Sequence, residues 1–242
     1  MGFFSQLFGV TDPHERKEKI MELEAKAPSI EAIERKNRSI AILKQNSIPT
    51  IEHLPVIEDS KTSNIQSKRK IVERVIGCTI AAAAGETGDQ ELAKKLINDF
   101  SAKAWLTPGE LVFIHKRIES QQERIQFSWR YERVWVLLWS LGYIESLDYP
   151  PSICNVQILV GHIKGKTVDE LVASAKMRSS NEILNEADFI YRLHWAITEE
   201  RVNKSFKLPK SIERGVVLER HAALNWLIGY MNQSWDEITT DT

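Results

Sequence analysis

The stretch from Glu123 to Ile144, ERIQFSWRYERVWVLLWSLGYI, holds three of the seven tryptophans in the chain. Phe127, Tyr131, Val134, Leu138 and Leu141 fall on one stripe at helical spacing, and Trp135 and Trp139 widen it to one side. An apolar face this broad has to be covered from several directions. The pattern therefore predicts a Trp-rich helix over 125–143 at the centre of the fold. Glu132 lies among Trp129, Trp135, Val136 and Trp139 on its surface. A buried carboxylate is expensive unless paired, so a basic partner from another helix is expected.

The rest of the chain also reads as helices. Ile30 to Asn46 carries the four-apart pairs Glu31/Arg35 and Glu34/Arg38. Lys68 to Ala84 follows, with Gly85 and Gly88 as breaks, and Asp89 caps a helix running to about Phe100. Thr107-Pro108 with Glu110 starts another as a capping box, and Thr167 caps Val168 to Lys176. A second box, Ser179 with Glu182, opens a long helix to Asn203, and the last helix spans Ile212 to Tyr230. Residues 49–66 are too apolar for a free linker and should be held against the body. Hardly any segment alternates as a strand would, so the fold class is all-α: an irregular multi-helix globular domain over 29–242. Residues 1–28 read as a leader, and its Phe3, Phe4, Leu7 and Phe8 either dock on the body, stay disordered or touch a membrane surface at residues 3–8.

Several function classes are disfavoured. A net charge of -1 from 32 basic and 33 acidic residues gives no long-range attraction to nucleic acid. Cys78 and Cys154 lie far apart in apolar surroundings, with neither a disulfide framework nor zinc spacing. No stretch reaches transmembrane length and no signal peptide opens the chain, which makes the cytoplasm the default. The run GHIKGKT has Val160 where a phosphate loop requires glycine, so 155–161 is read as a short helix. No cofactor is implied.

Polar residues interrupt the core stripes of the C-terminal helices. Asp188 and Arg192 stand four apart beside Tyr191 and Trp195, and His194 joins an aliphatic stripe. Arg220 lies with Val217, Leu224 and Leu227, and His221 and Asn225 stack four apart. With Trp129, Arg130 and Glu132 these form a candidate ligand-binding set. Three readings follow: a buried polar network holding helices in register, a cleft for an anionic or planar small ligand or protein partner, or a hydrolase-like enzyme using carboxylate and histidine residues of the two C-terminal helices. No metal-binding pair or nucleophile elbow supports the third, and Cys78 reads as buried and inert.

Four blocks carry a family resemblance: RKNRSIAILKQNSIPTIEHLP, the tryptophan stretch, RSSNEILNEADFIYRLHWA and ERGVVLERHAALNWLIGY, with WDEITTDT at the end. The chain resembles the bacterial family known as domain of unknown function 4272, from about Arg35 to the C-terminus. The resemblance implies a mostly helical protein and brings no established activity, cofactor or partner. It also implies a signature that contains the ten candidates above together with Arg124, Trp135, Trp139, Tyr191, Glu219, Trp226, Trp235 and Asp241.

Overall fold

Side-chain caps set where most helices begin. The computed structural model describes residues 28–116, 120–148, 151–203 and 207–242. Helices α1 (Ile30–Gln45), α2 (Lys68–Thr87) and α3 (Gln90–Asp99) start at Ser29, Ser67 and Asp89, each accepting a backbone N–H of the first turn. After a 3₁₀ turn at Ala102–Trp105, α4 (Pro108–His115) opens with the Thr107/Glu110 capping box. Then come α5 (Gln121–Ser128), α6 (Tyr131–Ser140), α7 (Val156–Ile163) and α8 (Val168–Ser174). The long α9 (Ser180–Val202) begins at the Ser179/Glu182 box, α10 (Arg214–Leu227) follows, and a 3₁₀ turn covers Tyr230–Asn232. Among the described residues there is no strand. The expected leader, apart from Pro28, lies outside the described residues, and so do residues 3–8, expected to dock, stay disordered or touch a membrane.

Helix α2 is buried nearly all round, from Ile71 and Val72 through Ile80 to Gly85. A helix apolar on every side belongs inside a domain. It packs against α3, α4, α5, α6, α8 and the first 3₁₀ turn. Helix α6 joins α2 to α10, and α9 lies between α10 and α1. The 49–66 connection is pinned as expected: Lys36 Nζ donates to Leu54 O at 2.8 Å, Arg35 to Glu58 O at 2.9 Å, and Gln66 N to Leu227 O at 2.9 Å.

The structure departs from the single helix expected over 125–143. The segment breaks into α5 and α6 at Trp129-Arg130, where Arg130 N bonds Phe127 O at 3.1 Å and Glu132 N bonds Trp129 O at 3.0 Å, a three-residue tightening of the ladder. The physical reason is that the two halves pack on different partners, α5 against α2 and α6 against both α2 and α10. A second correction concerns Gly85, which does not break α2. It sits inside the helix, where α5 crosses so closely that a β-carbon there would lie 2.7 Å from Arg124 O and 2.8 Å from Ser128 N. Gly88, at φ +70°, provides the actual C-cap.

Gly85→Ala should therefore destabilise the protein by about 1–3 kcal/mol, against the roughly 1 kcal/mol gain in helix propensity that alanine brings. Urea unfolding followed by circular dichroism measures this. An unchanged or raised midpoint would show that α5 does not approach α2 so closely.

Candidate functional site

The strongest polar cluster is centred on Glu110. Its carboxylate is fully buried, yet the sequence marks it only as a capping residue. One oxygen meets Arg74 of α2 at 2.5 Å and also accepts Thr107 N at 2.9 Å; the other meets Arg130 at 3.0 Å. Arg74 in turn stacks on Trp235, with its guanidinium carbon 4.9 Å from the ring centroid, and Arg133 approaches the same ring at 5.5 Å. Trp235 meets Trp226 edge to face at 5.1 Å, and its neighbour Asp236 accepts from Thr107 Oγ1 and Gly109 N at 2.7 and 2.9 Å. The C-terminal tail is thus fastened to the start of α4. Arg74, within the apolar run IVERVIGCTI, was a legible signal of this cluster; Glu110 carried none, because its partners lie 36 and 20 residues away.

Glu132 finds its expected basic partner in Arg220 of α10. Both are buried, but Arg220 Nε and Glu132 Oε2 stand 3.7 Å apart, beyond hydrogen-bond range, so the attraction is coulombic. The other Glu132 oxygen accepts Cys154 N at 2.6 Å, and Arg220 donates at 3.3 Å to Asp148 O and Ser152 O. Burial raises the Glu132 carboxyl above its ordinary range, with the Cys154 N–H and Arg220 opposing the rise. The Cys78 thiol is buried as expected, and loss of solvent pushes it up to about 12.

Asp188 and Arg192 form a two-pronged pair at 2.8 and 2.9 Å, and Arg192 also donates to Pro55 O at 2.9 Å. That geometry holds the 49–66 connection to α9. His194 and His221 bond to each other, Nδ1 to Nδ1 at 2.9 Å, with rings nearly perpendicular at 82°. One ring must donate and the other accept, so the two cannot both carry a proton on Nδ1, and burial disfavours the charged form of each. Burial, then the neighbouring His194, lowers His221 to about 3. Asn225 donates to Thr239 O at 2.8 Å, tying the tail to α10. Trp129 covers Gly215, where a β-carbon would come within 3.0 Å of the indole, and Trp195 is half-buried against the core.

The ten sequence candidates thus fall into separate groups rather than one chamber. Arg130 meets Glu110, Glu132 meets Arg220, Asp188 meets Arg192, and His194 meets His221. Beside the Glu110 cluster lies an open cleft of about 500 Å³ that the candidate set does not contain. Trp105, Trp226 and Trp235 line it with Lys70, Arg74 and the 229–235 turn, and the Lys70 ammonium sits 5.7 Å from the Trp226 ring centroid. Gly229, at φ +71°, lets that turn pass Asn64, whose carbonyl oxygen a β-carbon would approach to 2.7 Å.

Fold and site together define an all-α domain in which Glu110, Glu132 and Asp188 each face an arginine and whose described residues hold no cluster of three or more metal-ligating side chains. Among the described residues no helix is long and apolar enough to cross a membrane. The chain belongs to the family described as Domain of unknown function (DUF4272), whose model matches residues 35–238. No curated protein and no solved structure matches it.

Two stability experiments follow. Glu110→Gln leaves two arginines sharing a neutral amide and should lower unfolding free energy by about 3–5 kcal/mol, as removal of one partner from a buried ion pair does. A loss below about 1 kcal/mol in chemical denaturation would contradict that role. For His221, the folded form resists protonation down to about 3 while the unfolded form takes up a proton near 6.5. Stability should then fall as pH drops below about 6.5, by up to about 1.4 kcal/mol per unit from this group. Melting temperatures from pH 7 to 5 should show a shallower acid slope in His221→Gln than in the parent; equal slopes would count against the burial argument.

Proposed function

We propose that residues 29–242 form a non-catalytic, cytoplasmic binding module for a small planar ligand bearing negative charge. The observation that carries this reading is the cleft of about 500 Å³ walled by Trp105, Trp226 and Trp235, with Lys70 over the Trp226 ring. The half-buried Trp105 indole offers a stacking surface to a flat group beside the buried Trp226 and Trp235, and the Lys70 ammonium offers a counter-charge. Arg74 also reaches the cleft, but its guanidinium is already bonded to Glu110, which it shares with Arg130. Lys70 is thus the cation that a ligand can engage most directly.

The candidate residues enter this reading mainly as support. Arg130 and Arg74 share Glu110, and through Arg74 the cluster sets the position of Trp235. Glu132, Asp188, Arg192 and Arg220 hold helices and connections in place around it. Trp129, Trp195, His194, His221 and Asn225 bind α9, α10 and the tail into the same body. The hydrolase-like alternative is less well supported. Asp188 gives both oxygens to Arg192, and each histidine takes its Nδ1 bond from the other histidine. A reducing compartment suits the two free, buried thiols.

Ala104→Glu should test the reading, since Ala104 is an exposed residue at the cleft wall whose replacement fills space and repels an anion without touching the core. Titration with mononucleotides and aromatic carboxylates, followed by tryptophan fluorescence, should reveal a ligand whose affinity falls at least about tenfold in this variant, the loss of roughly 1.4 kcal/mol. A ligand that binds both proteins equally well would place the site elsewhere.

A further inference from the structure

A second cleft, of about 280 Å³, lies between α1 and α9. Its apolar walls are Ile42, Trp139, Leu147 and Phe189. Two charged residues of opposite sign also line it, Arg38 from α1 and Glu186 from α9, with the Asn185 amide beside them. Among the described residues neither Arg38 nor Glu186 makes an ion pair or hydrogen bond. Other charged groups around the cleft are engaged. Glu182, at the edge of the cleft, takes Arg178 at 3.1 Å, and Arg220 behind it faces Glu132.

We propose that this cleft binds a free α-amino acid with an apolar side chain, its ammonium against Glu186 and its carboxylate against Arg38. The ligand class follows from three properties of the cleft. Its volume lies just under the roughly 300–1,000 Å³ of pockets for drug-sized molecules, which suits an amino-acid-sized occupant. Arg38 and Glu186 attract each other without bonding, so a zwitterion placed against them bonds both where a simple anion or cation bonds one and is repelled by the other. Ile42, Trp139, Leu147 and Phe189 give most of the remaining wall, which favours an apolar side chain.

The state of Glu186 agrees with a missing cation. Burial raises its carboxyl to about 7, with Arg220 of α10 and Arg38 of α1 opposing the rise. Glu182 on the same helix is already engaged by Arg178 and Ser179. An arriving ammonium favours the ionised carboxylate, so binding near or below neutral pH releases a proton and tightens as pH rises through about 7. This site is independent of the tryptophan cleft.

Isothermal titration with L-phenylalanine, phenethylamine and 3-phenylpropionate separates the contributions. L-Phenylalanine should bind with a Kd of about 1 mM or tighter, and each analogue, lacking one charge, at least about tenfold more weakly. Arg38→Ala, at an exposed position, and Glu186→Gln should each weaken L-phenylalanine by about tenfold or more, with the pH dependence lost only in Glu186→Gln. Three results would overturn the proposal. These are 3-phenylpropionate binding as tightly as L-phenylalanine, both variants binding as the parent does, or no heat from L-phenylalanine at about ten times the expected Kd with a parent protein shown folded by circular dichroism.

Discussion

One carboxylate, that of Glu110, is shared by guanidinium groups from two separate parts of the chain, Arg74 in α2 and Arg130 at the α5–α6 break. The same carboxylate caps the first turn of α4, and Arg74 carries Trp235 and the tail on its outer face. A buried acid without those partners would be heavily penalised by lost solvation, so the helices have to meet at this point for any of them to settle. The broken course of the tryptophan stretch follows from this. Arg130 turns toward Glu110 where the ladder tightens, and α6 can then leave in a different direction to meet α10.

The other buried charges act in the same way on a local scale. Glu132 with Arg220 joins α6 to α10 and the 148–154 backbone, and Asp188 with Arg192 clamps Pro55 against α9. Each pair adds little net stability over an apolar substitute, but each fixes which helix sits beside which. The histidine pair does so between α9 and α10 with a single shared proton. Where charges are matched internally, recognition falls to the surfaces left open. Two such surfaces are the clefts, one walled by tryptophans and one with an acid and a base that no ion pair joins.

Much of the fold was legible in the sequence because its signals are local. The Asp89, Thr107, Thr167 and Ser179 caps all stand where side-chain chemistry within three residues specifies them. The Asp188–Arg192 pair is likewise a four-residue spacing. What escaped was long-range. Helical periodicity runs unbroken through Trp129-Arg130, since the cause of the break is contact with other elements. Gly85 reads as a helix breaker until α5 is known to cross it. Neither cleft could be read, because Lys70 with Trp226, and Arg38 with Glu186, are joined only by tertiary packing.

The most direct test of this division between internal ties and open clefts is nuclear magnetic resonance of the tryptophan indole N–H groups. Spectra would be recorded while mononucleotides and aromatic carboxylates are added. The account predicts that the Trp105, Trp226 and Trp235 signals move together while those of Trp129 and Trp195 hold still. Movement of Trp129 and Trp195 with the cleft indoles unchanged would contradict it, as would a panel to which none of the indoles responds.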